Sequence, residues 1–500
     1  MRASGILLPI SSLPSNYGIG CFSKEAYAFV DGLNKAHQHF WQILPLGQTS
    51  FGDSPYQSFS TFAGNPYFID LEKLIEEGLL TKEECDECDF GDDDSCIDYG
   101  KIYEERYDLL WSAFQNSDIE QNEEFLKFQK ENEDWLPDYA LYMAVKDSFD
   151  GVMWTDWEED IRLRKEEALE LYKKELAEDI LFYEFIQYEF IKQWMELKTY
   201  ANSKGVKIIG DIPIYVAFDS ADCWADTDLF QFNEKNIPTA VAGCPPDAFA
   251  ATGQLWGNPL YDWEYHKKTG YKWWIRRVEY SFKLYDMVRI DHFRGFDEYY
   301  SIPFGDKTAE NGHWEKGPGI ELFNAIENRL GSLDIIAEDL GYLTDTVEKL
   351  VKDTGYPGMK LIQFAFDSRE KSNYLPHTYD KNTVVYTGTH DNDTVIGWYD
   401  SISESDREYA LKYMNNYDTP EDEIHLDFIR AAMASVSDTA IIPFQDWLGL
   451  GSEARINVPS TVGGNWTWRM EADDFSDDVI DAILDMTRVY ERECNEKCND

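Results

Sequence analysis

Short apolar runs bounded by turn or polar residues recur along the chain at 5–10, 41–46, 206–214, 287–293, 333–338, 359–364, 383–390 and 439–444. Most are separated by stretches long enough for a helix. Near-continuous apolar runs alternating with helical segments are the pattern of parallel strands joined by crossover connections, and eight such units close a (β/α)8 barrel. The expected fold is therefore α/β: a TIM barrel spanning residues 1–500 as one elaborated domain, with large, mainly helical insertions between strands and no C-terminal β domain. After Asp446 only a loop and a terminal helix are expected.

Two stretches depart from the barrel rhythm. Residues 71–203 are rich in Glu, Lys, Leu and Tyr at helical spacing, without a Pro/Gly linker, and predict a helical insertion subdomain. Residues 218–280 carry loop chemistry, such as Gly243-Cys244-Pro245-Pro246-Asp247, together with many aromatics. They predict a second insertion whose loop covers substrate at the strand ends.

Charge narrows the partners. With 95 acidic against 45 basic residues the net charge is -50, and no Lys/Arg cluster exists to displace counterions from a polyanion. Nucleic acid and anionic membrane are excluded as expected partners, whereas an uncharged sugar approaches such a surface without Coulomb penalty. The 5–10 run is too short for a signal sequence or a membrane span and reads as a first buried strand. Cys85 and Cys88 form a CxxC with Cys96 nearby, but the second matched pair that zinc requires is missing, since Cys494 and Cys498 are spaced differently. Free thiols in an acidic surface hairpin, and a reducing cytoplasm, are expected.

Three of the apolar runs end on acids. Val288-Arg289-Ile290-Asp291-His292-Phe293, Ala337-Glu338-Asp339 and Thr389-His390-Asp391-Asn392 each close a β-type pattern with a carboxylate, as a barrel strand does where its C-terminal end lines an active site. Glycosidic bond cleavage needs an acid for the leaving oxygen and a carboxylate for the oxocarbenium-like carbon. Asp291 lies two residues beyond Arg289, so on a strand both face one way, and the guanidinium is expected to hold the carboxylate ionised. The apolar run before Glu338 should raise its pKa and suit it to general acid work. His292 and His390 adjoin the candidate aspartates and suit hydrogen bonding to sugar hydroxyls. Asp291, His292, His390 and Asp391 are ligand-type residues for a metal, yet no HExxH-like signature accompanies them, so no metal and no cofactor are expected. Tyr56, Trp256 and Trp466 lie among turn residues, where burial explains an aromatic poorly and sugar stacking explains it better.

On these motifs the chain resembles the 4-α-glucanotransferases, also called amylomaltases or disproportionating enzymes, of glycoside hydrolase family 77. The resemblance includes Gly52-Asp53-Ser54-Pro55-Tyr56-Gln57-Ser58-Phe59, Gly210-Asp211-Ile212-Pro213-Ile214-Tyr215 and the loop from Pro245 to Trp263. It continues through 288–296, 387–394, Arg455-Ile456-Asn457-Val458-Pro459 and Gly464-Asn465-Trp466-Thr467-Trp468-Arg469. It implies a retaining mechanism with Asp291 as nucleophile, Glu338 as general acid/base and Asp391 as transition-state stabiliser. It further implies sugar contacts by Tyr56, Asp211, Trp256, Arg289, His292, Asp367, His390, Asn457 and Asn465, and by Phe249 on the covering loop. Maltooligosaccharides and other 1,4-α-glucans are the implied partners; oligomeric state is not implied. Ala248, Phe51 and His313 depart from common family residues, and bear on the grip on long glucan rather than on the chemistry.

Transfer and hydrolysis differ only in whether a sugar hydroxyl or water resolves the intermediate, so an α-glucan hydrolase of the α-amylase type is the alternative. A catalytically silent glucan-binding protein would have lost one of the three acids, and all are present.

Overall fold

Twelve strands form in the computed structural model, which describes residues 2–50, 52–246, 250–341 and 343–493. In chain order they are β1 (Ala3–Leu7), β2 (Phe40–Gln42), β3 (Lys207–Ile212), β4 (Ala240–Cys244), β5 (Gln254–Pro259) and β6 (Met287–Ile290). β7 (Glu298–Pro303), β8 (His313–Lys316), β9 (Ile335–Ala337), β10 (Gly358–Leu361), β11 (Thr383–Tyr386) and β12 (Thr439–Pro443) follow. Eight of them close a parallel barrel in the order β1-β12-β11-β10-β9-β6-β3-β2. Each barrel strand falls within, or overlaps, one of the eight apolar runs of the sequence.

The two-residue period of these strands separates two cores. Leu7, Phe40, Ile209, Ile336, Met359, Leu361, Val384, Tyr386 and Ile441 point inward and pack together inside the barrel. Ile6, Trp41, Ile208, Val288, Ile290, Ile335 and Val385 point outward into a larger core shared with the helices. The same alternation carries Asp211, two residues beyond Ile209, and Arg289 and Asp291, two and four beyond Met287, to the inside at the C-terminal mouth. Gly210 lies between them because a Cβ there would come within 2.2 Å of the Tyr285 ring.

The 71–203 stretch is helical, as its spacing predicts. It ends in a 27-residue helix, Ala177–Ser203, that runs straight into β3. That helix is buried along much of its length by Phe185, Phe190, Trp194 and Leu197. The 218–280 stretch holds more order than its loop chemistry predicts. β4 and β5 pair antiparallel, β4 also pairs with β7 and β7 with β8, giving a separate four-stranded sheet β5-β4-β7-β8. The strand Ala240-Val241-Ala242-Gly243-Cys244 escapes a hydropathy pattern because its residues are small. At Gly243 a Cβ would meet the Gln254 carbonyl oxygen at 2.1 Å, so the hairpin closes only on glycine.

The CxxC also lies elsewhere than expected. Cys85 is buried on the short helix Lys82–Asp86, which opens with a Thr81/Glu84 capping box, and Cys88 follows that helix, so no hairpin forms there. Among the described residues Cys21, Cys85, Cys88, Cys96 and Cys223 are free thiols. After Asp446 the described chain holds a loop and the helix Asp477–Val489. Among the described residues no helix is long and apolar enough to cross a membrane.

Candidate active site

β6 and β9 are neighbours with Ile290 opposite Ala337, so the residues that follow them, Asp291 and Glu338, emerge side by side at the barrel mouth. The chain turns sharply after Asp291 because His292 adopts the left-handed conformation (φ 51°), unusual for a residue with a side chain. That turn aims the His292 N–H at Glu338 Oε2 (2.7 Å), while Leu340 N–H donates to Oε1 (2.8 Å). Both oxygens of Glu338 are thus fixed by backbone.

Arg289 lies beneath them with its Nε against Met359 Sδ at 3.4 Å. Its Nη2 pairs with Asp291 Oδ1 at 3.0 Å, and its Nη1 pairs with Asp211 Oδ2 at 2.5 Å. Arg289 and Asp291 do share a face, but the cation is divided between two acids. Burial raises the Asp291 carboxyl; Arg289 is the main opposing influence, and Glu338, Asp211 and Asp391 add to the rise. Arg289 thus favours the charged form of Asp291, the direction its place on the same face predicts, but it works against burial and three neighbouring acids. Glu338 is raised as well, by burial, against Arg289 and its two N–H donors, which is the direction its apolar run predicts.

Asp391 arrives from the loop after β11. Asn457 Nδ2 donates to its Oδ1 (2.6 Å), Arg455 Nη2 donates to its carbonyl (2.8 Å), and His390 Nε2 lies 3.4 Å from Oδ2. Its side chain is the most open of the three acids at 42% exposed, against 28% for Asp291.

An aromatic wall surrounds the acids. The Tyr56 hydroxyl donates to Asp211 Oδ2 (2.8 Å), and its ring stacks on His390 with centroids 5.1 Å apart and also meets Trp466. Opposite, Trp256 on β5 stands edge-on to His292 at 4.8 Å. Burial and neighbouring Arg294 lower the His292 pKa to about 3, so its ring is neutral, and its buried Nε2 has no hydrogen-bond partner among the described residues. Burial lowers His390 too.

The structure thus gathers Tyr56, Asp211, Trp256, Arg289, Asp291, His292, Glu338, His390 and Asp391 in one mouth, with Asn457 bonded to Asp391. Asp367 stands apart: its carboxylate is held by Arg369 at 2.6–2.8 Å, which keeps it down at about 2. Asn465 is committed to its own loop, accepting from Val458 N–H and donating to Thr461. Trp466 is 7% exposed, so burial explains more of it than its loop setting predicts. Phe249, with Ala248 and Phe51, lies outside the described residues. Among the described residues no group of His, Cys, Asp and Glu is arranged to hold a metal ion.

Sequence reasoning overlooked the residues that brace the Asp391 loop. Asn392 Oδ1 accepts from Thr389 N–H and O–H, Gln363 Nε2 donates to the Asp393 carbonyl, and Asp446 accepts from Thr387 and Val395. Asn392 is signalled by its three-residue spacing from Thr389, as in local side-chain turns. Gln363 and Asp446 are distant in sequence and leave no such mark.

A barrel mouth holding adjacent carboxyls of unequal exposure, a buried cation and stacked aromatics is built for glycosidic bond chemistry. The family model described as 4-alpha-glucanotransferase, Glyco_hydro_77, matches residues 8–474. The chain is 53% identical over 485 residues to a 4-alpha-glucanotransferase of Clostridium butyricum, covering 97% of this chain and 99% of the relative. It is 51% identical over 497 residues to one from Streptococcus pneumoniae, covering 98% and 97%. An amylomaltase from Streptococcus agalactiae, solved in complex with acarbose, matches at TM-score 0.95 and 44% identity, covering 99% of this chain and all of that one. The chain belongs to the glycoside hydrolase family 77 4-α-glucanotransferases.

Proposed function

We propose that this enzyme moves a 1,4-α-glucan segment from a donor to the 4-hydroxyl of glucose or a maltooligosaccharide, with retention, through a covalent glycosyl-enzyme. Asp291 and Glu338 together hold one proton at neutral pH, because burial raises both and like charges this close resist joint ionisation. The charge resides on Asp291, which meets Arg289 directly at 3.0 Å, and the proton on Glu338, which is 9% exposed.

Glu338 then gives its proton to the glycosidic oxygen as Asp291 Oδ attacks the anomeric carbon. The C–O bond to the leaving glucan breaks, and a glycosyl ester to Asp291 forms. Asp391, open to the cleft and aimed by Asn457, stabilises the positive charge at the ring. In the second half Glu338 takes the proton from an acceptor 4-hydroxyl, whose oxygen displaces Asp291 and regenerates both acids. His292 and His390, kept neutral, hydrogen-bond sugar hydroxyls; Tyr56 and Trp256 wall the cleft, and their rings favour sugar over water at the intermediate. Asp211, with Tyr56 and Arg289, tethers the floor. Asp367, Asn457, Asn465 and Phe249 complete the glucan-binding set implied by the family. The reducing cytoplasm is the proposed setting, in keeping with free thiols at Cys21, Cys85, Cys88, Cys96 and Cys223.

The observation that carries this reading is the side-by-side emergence of Asp291 and Glu338 above Arg289. Maltotriose tests the outcome: disproportionation yields glucose together with maltooligosaccharides longer than the substrate. Glucose and maltose with no elongation would instead mark an α-glucan hydrolase.

A further inference from the structure

The loop that delivers Asp391 begins just past β11 and ends where the helix Val395–Ser401 starts. Asp446, on the short helix Phe444–Trp447 after β12, reaches both ends of it. Its Oδ2 accepts the Thr387 hydroxyl at 2.5 Å, and its Oδ1 accepts the Val395 N–H at 2.7 Å. Asp391 lies midway between these anchors in the chain. Asp446 and Thr387 are among the least accessible polar residues of the molecule, at 1% and 0% exposure.

We propose that Asp446 is a positioning residue for the third carboxylate, fixing both ends of the 387–395 segment so that Asp391 faces the reacting carbon. The inference rests on the assignment of Asp391 under the proposed function. A buried carboxylate with no cation in contact among the described residues is an expensive way to hold a loop, and burial, with Asp393 nearby, pushes Asp446 up to about 6. What the carboxylate provides is two acceptors on one rigid fork, each matched to a donor; an amide offers one. Other groups brace the loop as well, beginning with the Gln363 N–H, which donates to the Thr387 carbonyl at 3.1 Å. Gln363 holds the Asp393 carbonyl, Ser452 donates to Asp393 Oδ2, and Arg455 holds the Asp391 carbonyl. Asp446 differs in joining the Thr387 side chain to the Val395 backbone through one carboxylate on the short helix after β12.

The test combines Asp446→Ala with a double-mutant cycle against Asp391→Asn, using maltotriose for the transfer reaction and an α-maltosyl fluoride donor where the rate is low. Alanine is used because an asparagine could keep both contacts, the Thr387 hydroxyl being able to accept as well as donate. In the otherwise unaltered enzyme Asp446→Ala should lower kcat about 10- to 100-fold, the range a small misplacement of a reacting group produces, with KM held within about twofold. In the Asp391→Asn background the same change should alter the residual rate by less than about twofold, because nothing remains to be positioned. An unchanged kcat, an equal loss in both backgrounds, or a KM rise that accounts for the loss, would overturn the proposal. Should Asp446→Ala fail to fold, Thr387→Ser and Thr387→Val serve: the hydroxyl-bearing variant should keep kcat and the other lose it, and equal kcat for the two overturns the idea. An Asp391→Asn enzyme running at full speed would instead remove the role of Asp391, and this inference with it.

Discussion

Asp291 is raised by burial and by the charge of Glu338, so the two acids titrate as a unit and the pH dependence of one reports on the other. Under the proposed roles, the acid limb of the rate profile should report ionisation of Asp291 and the basic limb loss of the Glu338 proton. Glu338→Gln keeps the neutral shape of the protonated acid and removes the proton that titrates. With a glucosyl fluoride donor, whose departure needs little protonation, the basic limb of kcat/KM should disappear in the variant while the acid limb stays, and a basic limb retained would overturn the assignment of the proton to Glu338. At this scale the sequence exposes what a two-residue period exposes. Arg289 and Asp291 share a face, Glu338 and Asp391 close apolar runs, and their meeting follows from barrel closure. The competition among burial, Arg289 and Asp211 over one proton is a tertiary property and cannot be read from spacing.

At the scale of elements, the helix Ala177–Ser203 does more than cross over to β3. Gln187, fully buried in it, accepts the Gly64 N–H at 2.7 Å and donates to the Gly64 carbonyl at 2.9 Å, and Gln193 accepts the Asp70 N–H at 2.7 Å. The loop held in this way leads from Tyr56, which stacks on His390. Gln187→Leu conserves bulk but strands a buried N–H and a buried carbonyl, a change of about 2–4 kcal/mol on the ordinary cost of such groups. A chemical denaturation midpoint should fall accordingly and kcat should fall with it; a loss of stability with kcat intact would show that the helix does not reach the site. The eight barrel strands were legible because strands buried on both faces are written in long apolar runs. The sheet β5-β4-β7-β8 was not, since β4 is made of small residues and β8 is largely exposed, so neither shows an apolar period. Asp446 was illegible for another reason: a polar residue that serves a loop more than fifty positions away carries no local sign of it.

Over the whole molecule a net charge of -50 sets negative groups against one another, and the buried acids feel it most. Glu189, 2% exposed on the helix Ala177–Ser203, is raised to about 7 by burial, with Lys192 opposing and Glu77 adding to the rise. A carboxyl whose folded pKa exceeds its unfolded value keeps the folded state protonated where the unfolded state is not. Stability therefore falls as pH rises from the unfolded value, about 4.3, through about 7, and levels off above it. Glu189→Gln replaces the protonated form with a group that never ionises, while Lys192 retains Glu77 at 2.7 Å. The variant should match the parent at pH 5 and melt about 2–4 °C higher at pH 8, on the scale of a shift of this size. Each comparison is made at one ionic strength, so that general charge repulsion cancels between the two proteins. An identical Tm difference at both pH values would mean that the ion pair with Lys192 fully offsets the burial of Glu189.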